Sequence, residues 1–173
     1  IYNYNNERNM KKIFILSMLA ILPFTNVAAQ DVYNEIREKA TEHVSNPLTN
    51  DLVKQINRFK VDALDYMLIK MREQMPDSTA TFLDKQAFAM NNFVNLYLKK
   101  VLEYRTMPQA QQVKVLKAFM DASYSNPLFN DTDTELTLGY YANGDCLTRF
   151  SLDTDWRRAI LAASAIMKEM EGK

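Results

Sequence analysis

The sequence predicts a mainly α fold: a single helical domain of about five helices, with one C-terminal-half β-hairpin inserted before the last helix. Three observations carry that prediction. Only three glycines occur in the 173 residues, Gly139, Gly144 and Gly172, so none breaks the first four helical stretches. Pro47, Pro76, Pro108 and Pro127 separate stretches whose apolar residues recur every three or four positions, the period of one helix face. Late in the chain, Asn143-Gly144 stands between two segments rich in Leu, Thr, Tyr and Phe, the strongest short-range hairpin signal a sequence offers.

Each element follows from its own pattern. A short first helix over 32–44 carries Tyr33, Ile36, Ala40 and Val44 on one stripe. A second begins at the Thr49-Asn50-Asp51 cap and runs to about 75, with Leu52, Ile56, Phe59, Ala63, Met67, Met71 and Met75 along one face. The methionines at its end are of the adaptable kind that binding surfaces use, but their continuity with Ile56, Phe59 and Ala63 makes them core. The third helix starts within 78–81. It ends near Tyr104 and is predicted to bury Phe82, Met90, Phe93, Val94, Tyr97, Val101 and Tyr104, with Asn91, Asn95 and Lys99 opposite. The fourth follows Pro108, a residue suited to a first helical turn, and presents Val113, Leu116, Phe119 and Met120 until Ser125-Asn126-Pro127 stops it. The hairpin is expected at about 135–152. A final helix over 154–171 sets Trp156, Ile160, Ala163, Met167 and Met170 on one stripe before Gly172.

A seven-residue segment occurs twice: 45–51 and 125–131 agree at six of seven positions, each beginning Ser-Asn-Pro-Leu. Both copies are expected to end one helix and turn the chain, with Pro forbidding continuation and Asn bonding local backbone. The flanking segments share no further pattern, so the repeat marks no domain boundary.

Residues 10–29 read as a cleavable secretory signal peptide. Met10, Lys11 and Lys12 give a cationic start, 13–24 is an apolar run of 12 residues, and Val27-Ala28-Ala29 supplies small residues for cleavage after Ala29. The run is shorter than the roughly 20 residues a spanning helix needs. Residues 1–9 have no apolar periodicity and read as a mistranslated segment upstream of a start at Met10. The expected product is 30–173, a single soluble domain of 144 residues, periplasmic or secreted. Lipid anchoring at the cleavage point needs a cysteine there, and the one cysteine is Cys146. A lone cysteine makes no internal disulfide; it is buried or bridged to another chain.

Charge narrows the partners. Removing Arg8, Lys11, Lys12 and Glu7 from a balance of 21 basic and 21 acidic residues leaves 18 and 20, a net charge of about −2. No basic run exists, which argues against a nucleic-acid partner.

Two clusters near the hairpin carry chemistry. With Asn143 and Gly144 as the turn, Asp131, Asp133, Glu135, Asp153 and Asp155 gather at its open end, an oxygen-rich set of the kind calcium takes. The spacing is not an EF-hand, because Leu136 stands where glycine is required. Asp153 and Asp155 also suit the N-terminus of the last helix by capping and dipole. Around the same hairpin Phe129, Tyr140, Tyr141, Phe150 and Trp156 form an aromatic set that either stacks on a ligand or partner or packs the hairpin onto the helices.

Catalytic patterns are missing. His43 is the one histidine and no local signature links it to Cys146. Three glycines so placed build neither a nucleophile elbow nor a phosphate loop. The expected function is a non-enzymatic periplasmic or secreted interaction module with a protein or small-ligand partner in the cell envelope. The alternative is a calcium-dependent or aromatic-platform small-ligand (carbohydrate) binding protein; no cofactor is expected in the first case and calcium in the second.

Overall fold

The computed structural model describes residues 31–129 and 149–172, which hold five α-helices and no strand. They are α1 (Asp31–Ser45), α2 (Asp51–Gln74), α3 (Ala80–Glu103), α4 (Gln109–Tyr124) and α5 (Trp156–Glu171), with a 3₁₀ turn at Tyr104–Thr106. The two longest, α2 and α3, have 24 residues each, about 36 Å. No described helix is long and apolar enough to cross a membrane.

Helix ends follow the expected chemistry. Asn50 caps α2, its side-chain oxygen accepting the Val53 N–H at 2.9 Å. In the preceding turn Asn46 Oδ1 accepts the Leu48 N–H at 2.9 Å, the local bonding expected of the first repeat copy. The second copy uses the same residue types differently: Asn126 Nδ2 donates back to the Ala122 carbonyl, while the Leu128 N–H turns to Asp153.

Helix α3 is the hub, in contact with each of the other four. Its Asp84 is buried and accepts the Tyr33 N–H at 2.9 Å, satisfying a first-turn donor of α1 from another helix. Its Phe93 sits at the centre of the aromatic core, with ring centroids 5.2 Å from Phe119 of α4, 5.0 Å from Phe150 and 5.5 Å from Trp156 of α5. Phe59 of α2 meets Phe150 and Trp156 at 5.9 and 6.1 Å, and Tyr97 meets Phe119 and Phe150 at 5.4 and 5.1 Å. Every one of these pairs is edge-to-face, the arrangement that the ring quadrupole favours.

The apolar stripes hold along most of α1, α2 and α5, whose Ile36, Ala40, Ile56, Phe59, Met67 and Met71 are all buried, as are Trp156, Ala163 and Met167, while Leu52 in the first turn of α2 is exposed. Val101, expected on the buried side of α3, is exposed near that helix's end, and two faces differ from expectation. On α4 the buried set is Val115, Ala118, Phe119, Ala122 and Ser123, while Val113 is exposed. On α3, Asn91 and Asn95 do not face water alone; their side-chain oxygens accept from Lys60 Nζ of α2 at 2.7 and 3.1 Å. Among the described residues no carboxylate accompanies them in that contact, and burial lowers the Lys60 ammonium to about 8 from its usual 10.5.

The predicted hairpin requires correction where it can be seen. Its segment 149–152 is not a strand. Arg149 has φ 47°, a left-handed conformation that interrupts an extended run. The following backbone bonds to α4 instead of a strand partner: the Ser151 N–H donates to Ser123 Oγ at 3.0 Å, and Ser123 and Thr154 hydroxyls meet at 2.8 Å. The remainder of the hairpin, with Asn143, Gly144 and Cys146, lies outside the described residues, as does the signal segment 10–29.

Candidate functional site

The predicted aromatic surface and carboxylate cluster are placed as follows. Phe150 and Trp156 are both 0% exposed, so the turn at Arg149 drives Phe150 into the core and neither ring presents a contact face. Phe129 is half-buried, with its ring 6.4 Å from Tyr66. Tyr140 and Tyr141 lie outside the described residues, as do Asp131, Asp133 and Glu135.

The two described carboxylates serve the backbone. Asp153 is buried, and its Oδ1 accepts the N–H groups of Leu128 and Phe129 at 3.1 and 2.8 Å, fastening the chain after α4 to the chain before α5. Asp155 is the N-cap of α5, its Oδ1 accepting the Arg158 N–H at 3.3 Å. Among the described residues no group of three His, Cys, Asp or Glu side chains is arranged to hold a metal ion. His43 is exposed near the end of α1.

A different site emerges between α3 and α5. The two helices pack on each other, and residues of both line an open groove of about 660 Å³ beside the start of α5. Its apolar floor comes from Phe82, Phe88 and Ala89 of α3 and from Ile160 and Leu161 of α5. Leu161 is 71% exposed, while Phe82, Phe88 and Ile160 are half-buried. Lys85, Arg157 and Arg158 stand around this floor, all three exposed.

Gln86 holds the two walls together. Its Nε2 donates to Asp155 Oδ1 at 3.0 Å and its Oε1 accepts the Trp156 N–H at 2.9 Å, so one buried amide satisfies both the cap residue and the first donor of α5. Asp155 is the one acidic side chain lining the groove, and its other oxygen lies 3.4 Å from Arg158 Nε. Among the described residues neither Lys85 nor Arg157 forms an ion pair, and both line the groove.

The site offers apolar area, concavity and positive charge, and the one carboxylate lining it is engaged by a cap and an arginine. The sequence did contain a signal for it. Phe88 and Leu161 are large apolar residues that fall off the buried stripes of their own helices, and an off-stripe apolar residue marks a second face. What one-dimensional periodicity does not hold is that the two off-stripe residues, 73 positions apart in the numbering, meet across one groove.

No protein-family profile matches the chain, and neither a characterised protein nor a solved structure matches it.

Proposed function

We propose that the protein is an exported, non-enzymatic interaction module that works in the periplasm or outside the cell, with the α3–α5 groove as its contact surface. Export rests on the cationic, apolar and small-residue pattern of residues 10–29. The contact role rests on one observation: Leu161, exposed on α5, lines one concavity with Phe82 and Phe88 of α3 and with the cations Lys85, Arg157 and Arg158. Concave apolar surface with a few placed charges is what binding sites share, and a stable helix surface has no need of it.

A small anionic ligand is the second reading. A groove of about 660 Å³ lies within the range of small-molecule sites, and its openness to solvent favours a larger partner over a ligand that must be mostly enclosed.

Two measurements test the proposal together. Fractionation of cells expressing the full chain should show processing near Ala29 and the product in the envelope or medium; unprocessed protein in the cytoplasm rejects export. Tagged full chain and its Leu161→Glu variant, purified in parallel from native cells, should differ in a co-purifying species while sharing one melting midpoint. The same species with both, at the same yield, rejects the groove as the contact surface.

A further inference from the structure

We infer that the groove between α3 and α5 takes an acidic amphipathic helix of a partner protein, an inference that rests on the contact role just proposed. The groove is lined by two helices, and an amphipathic helix is a form that recognises such an apolar groove, laying one apolar stripe on Phe82, Ile160 and Leu161. No strand edge is available among the described residues for an extended peptide to pair with, so backbone-mediated addition is not the mode here.

Charge fixes the sign of the partner. Of the four charged side chains lining the groove three are cationic, and the single acid, Asp155, is already held by Gln86 and Arg158. Lys85 on one wall and Arg157 on the other, neither in an ion pair among the described residues, therefore add two positive charges to the groove. Carboxylates flanking the apolar stripe of an incoming helix meet both, whereas lysines there meet like charge, a penalty that discriminates partners more strongly than apolar contact does. The surface is concave, and a lipid bilayer calls for a protruding apolar and basic face.

The test uses the full mature chain and a fluorescently labelled helical peptide of about 18 residues, long enough to hold a helix, with Leu at i, i+4 and i+7 and Glu flanking them. Three competitors accompany it: the same peptide with Lys for Glu, a scramble that destroys the apolar stripe, and phosphatidylserine vesicles. The Leu/Glu peptide should bind, and the Lys and scrambled peptides should not. Raising salt from about 0.1 to about 1 M, over which the Debye length falls from about 10 to about 3 Å, should weaken it. The double variant Lys85→Glu with Arg157→Glu should weaken binding at least about tenfold, and Leu161→Ala independently by a similar factor of about ten. Both variants change exposed side chains, so their thermal midpoints should match wild type. Equal binding of the scramble, equal binding by the double variant, binding to vesicles alone, or no binding of any probe overturns the inference. If the peptide fails while the species sensitive to Leu161→Glu still co-purifies, the partner chemistry falls and the contact role stands. If both fail, both fall.

Discussion

Gln86 and Trp156 are joined by a hydrogen bond of 2.9 Å from the Trp156 backbone N–H to the Gln86 Oε1, and the other end of the same amide holds Asp155. That single buried side chain sets where α5 begins relative to α3, and therefore where the groove opens. Asp84, two residues earlier on α3, does the same for the start of α1 through the Tyr33 N–H. One helix thus supplies side-chain acceptors to the first turns of two others, which ties the bundle's packing to its helix ends.

Replacing Gln86 should expose this dependence. Gln86→Ala leaves the Trp156 N–H and the Asp155 carboxylate without their partner, and its cost is expected at about 1–3 kcal/mol, the range for a buried polar group left unsatisfied. Gln86→Glu keeps the shape but sets a carboxylate beside Asp155. It should be more destabilised at pH 7 than at about pH 4, where a protonated carboxyl again has a donor to offer. Urea denaturation at the two pH values reads both variants.

The aromatic core should be the least tolerant region. Phe93 meets Phe119, Phe150 and Trp156 within 5.5 Å, and Phe93→Ala should cost about 3–5 kcal/mol. Val113→Ala, at an exposed site on α4, should stay within about 0.5 kcal/mol. Trp156 is the one tryptophan and is buried, so the red shift of its fluorescence on unfolding reports both variants directly. A Phe93→Ala cost similar to that of Val113→Ala contradicts the packing described.

Lys60 predicts a pH dependence. Its folded value of about 8 lies below the usual 10.5 because burial disfavours the charged form. Between those values the unfolded chain holds more protons than the folded one, so stability rises with pH through this window. Below about 8 the burial penalty is present in full, and above 10.5 it has vanished. The stability of wild type relative to Lys60→Met should therefore climb across the window, by at most about 1.4 kcal/mol per pH unit for one proton. Denaturation curves for both proteins from pH 7 to about 11 check it; a difference that does not vary with pH contradicts the placement of Lys60 between α2 and α3.

Much of the scaffold was legible because proline punctuation and helical period are local properties. The stripes through Ile36, Phe59, Met67, Ala163 and Met167 needed no tertiary knowledge. The phase of α4 is less legible, because its buried face is set largely by small residues and not by its large apolar ones alone. Ala118, Ala122 and Ser123 are buried on α4 and Ala159 and Ala163 on α5, and these two helices pack on each other, so small side chains mark that contact face. Asn91 and Asn95 misled for the opposite reason, since polar residues opposite a stripe are expected in water and here they receive a lysine from α2. Strand propensity over 149–152 was overridden by tertiary bonding to Ser123 and by the left-handed Arg149. The groove itself was out of reach of periodicity, as Lys85 and Arg157 come together only through the packing of α3 on α5.

The groove as contact surface is tested most directly by placing a photo-activatable cross-linker at three exposed apolar positions of the full chain in living cells. Leu48, in the turn between α1 and α2, is 92% exposed; Val113 on α4 is 55% exposed; Leu161 in the groove is 71% exposed. Exposure alone ranks Leu48 first. The account predicts a discrete adduct from Leu161, suppressed by the Lys85→Glu and Arg157→Glu changes, and none from Leu48 or Val113. Adducts from Leu48 or Val113 that equal or exceed those from Leu161 would contradict it.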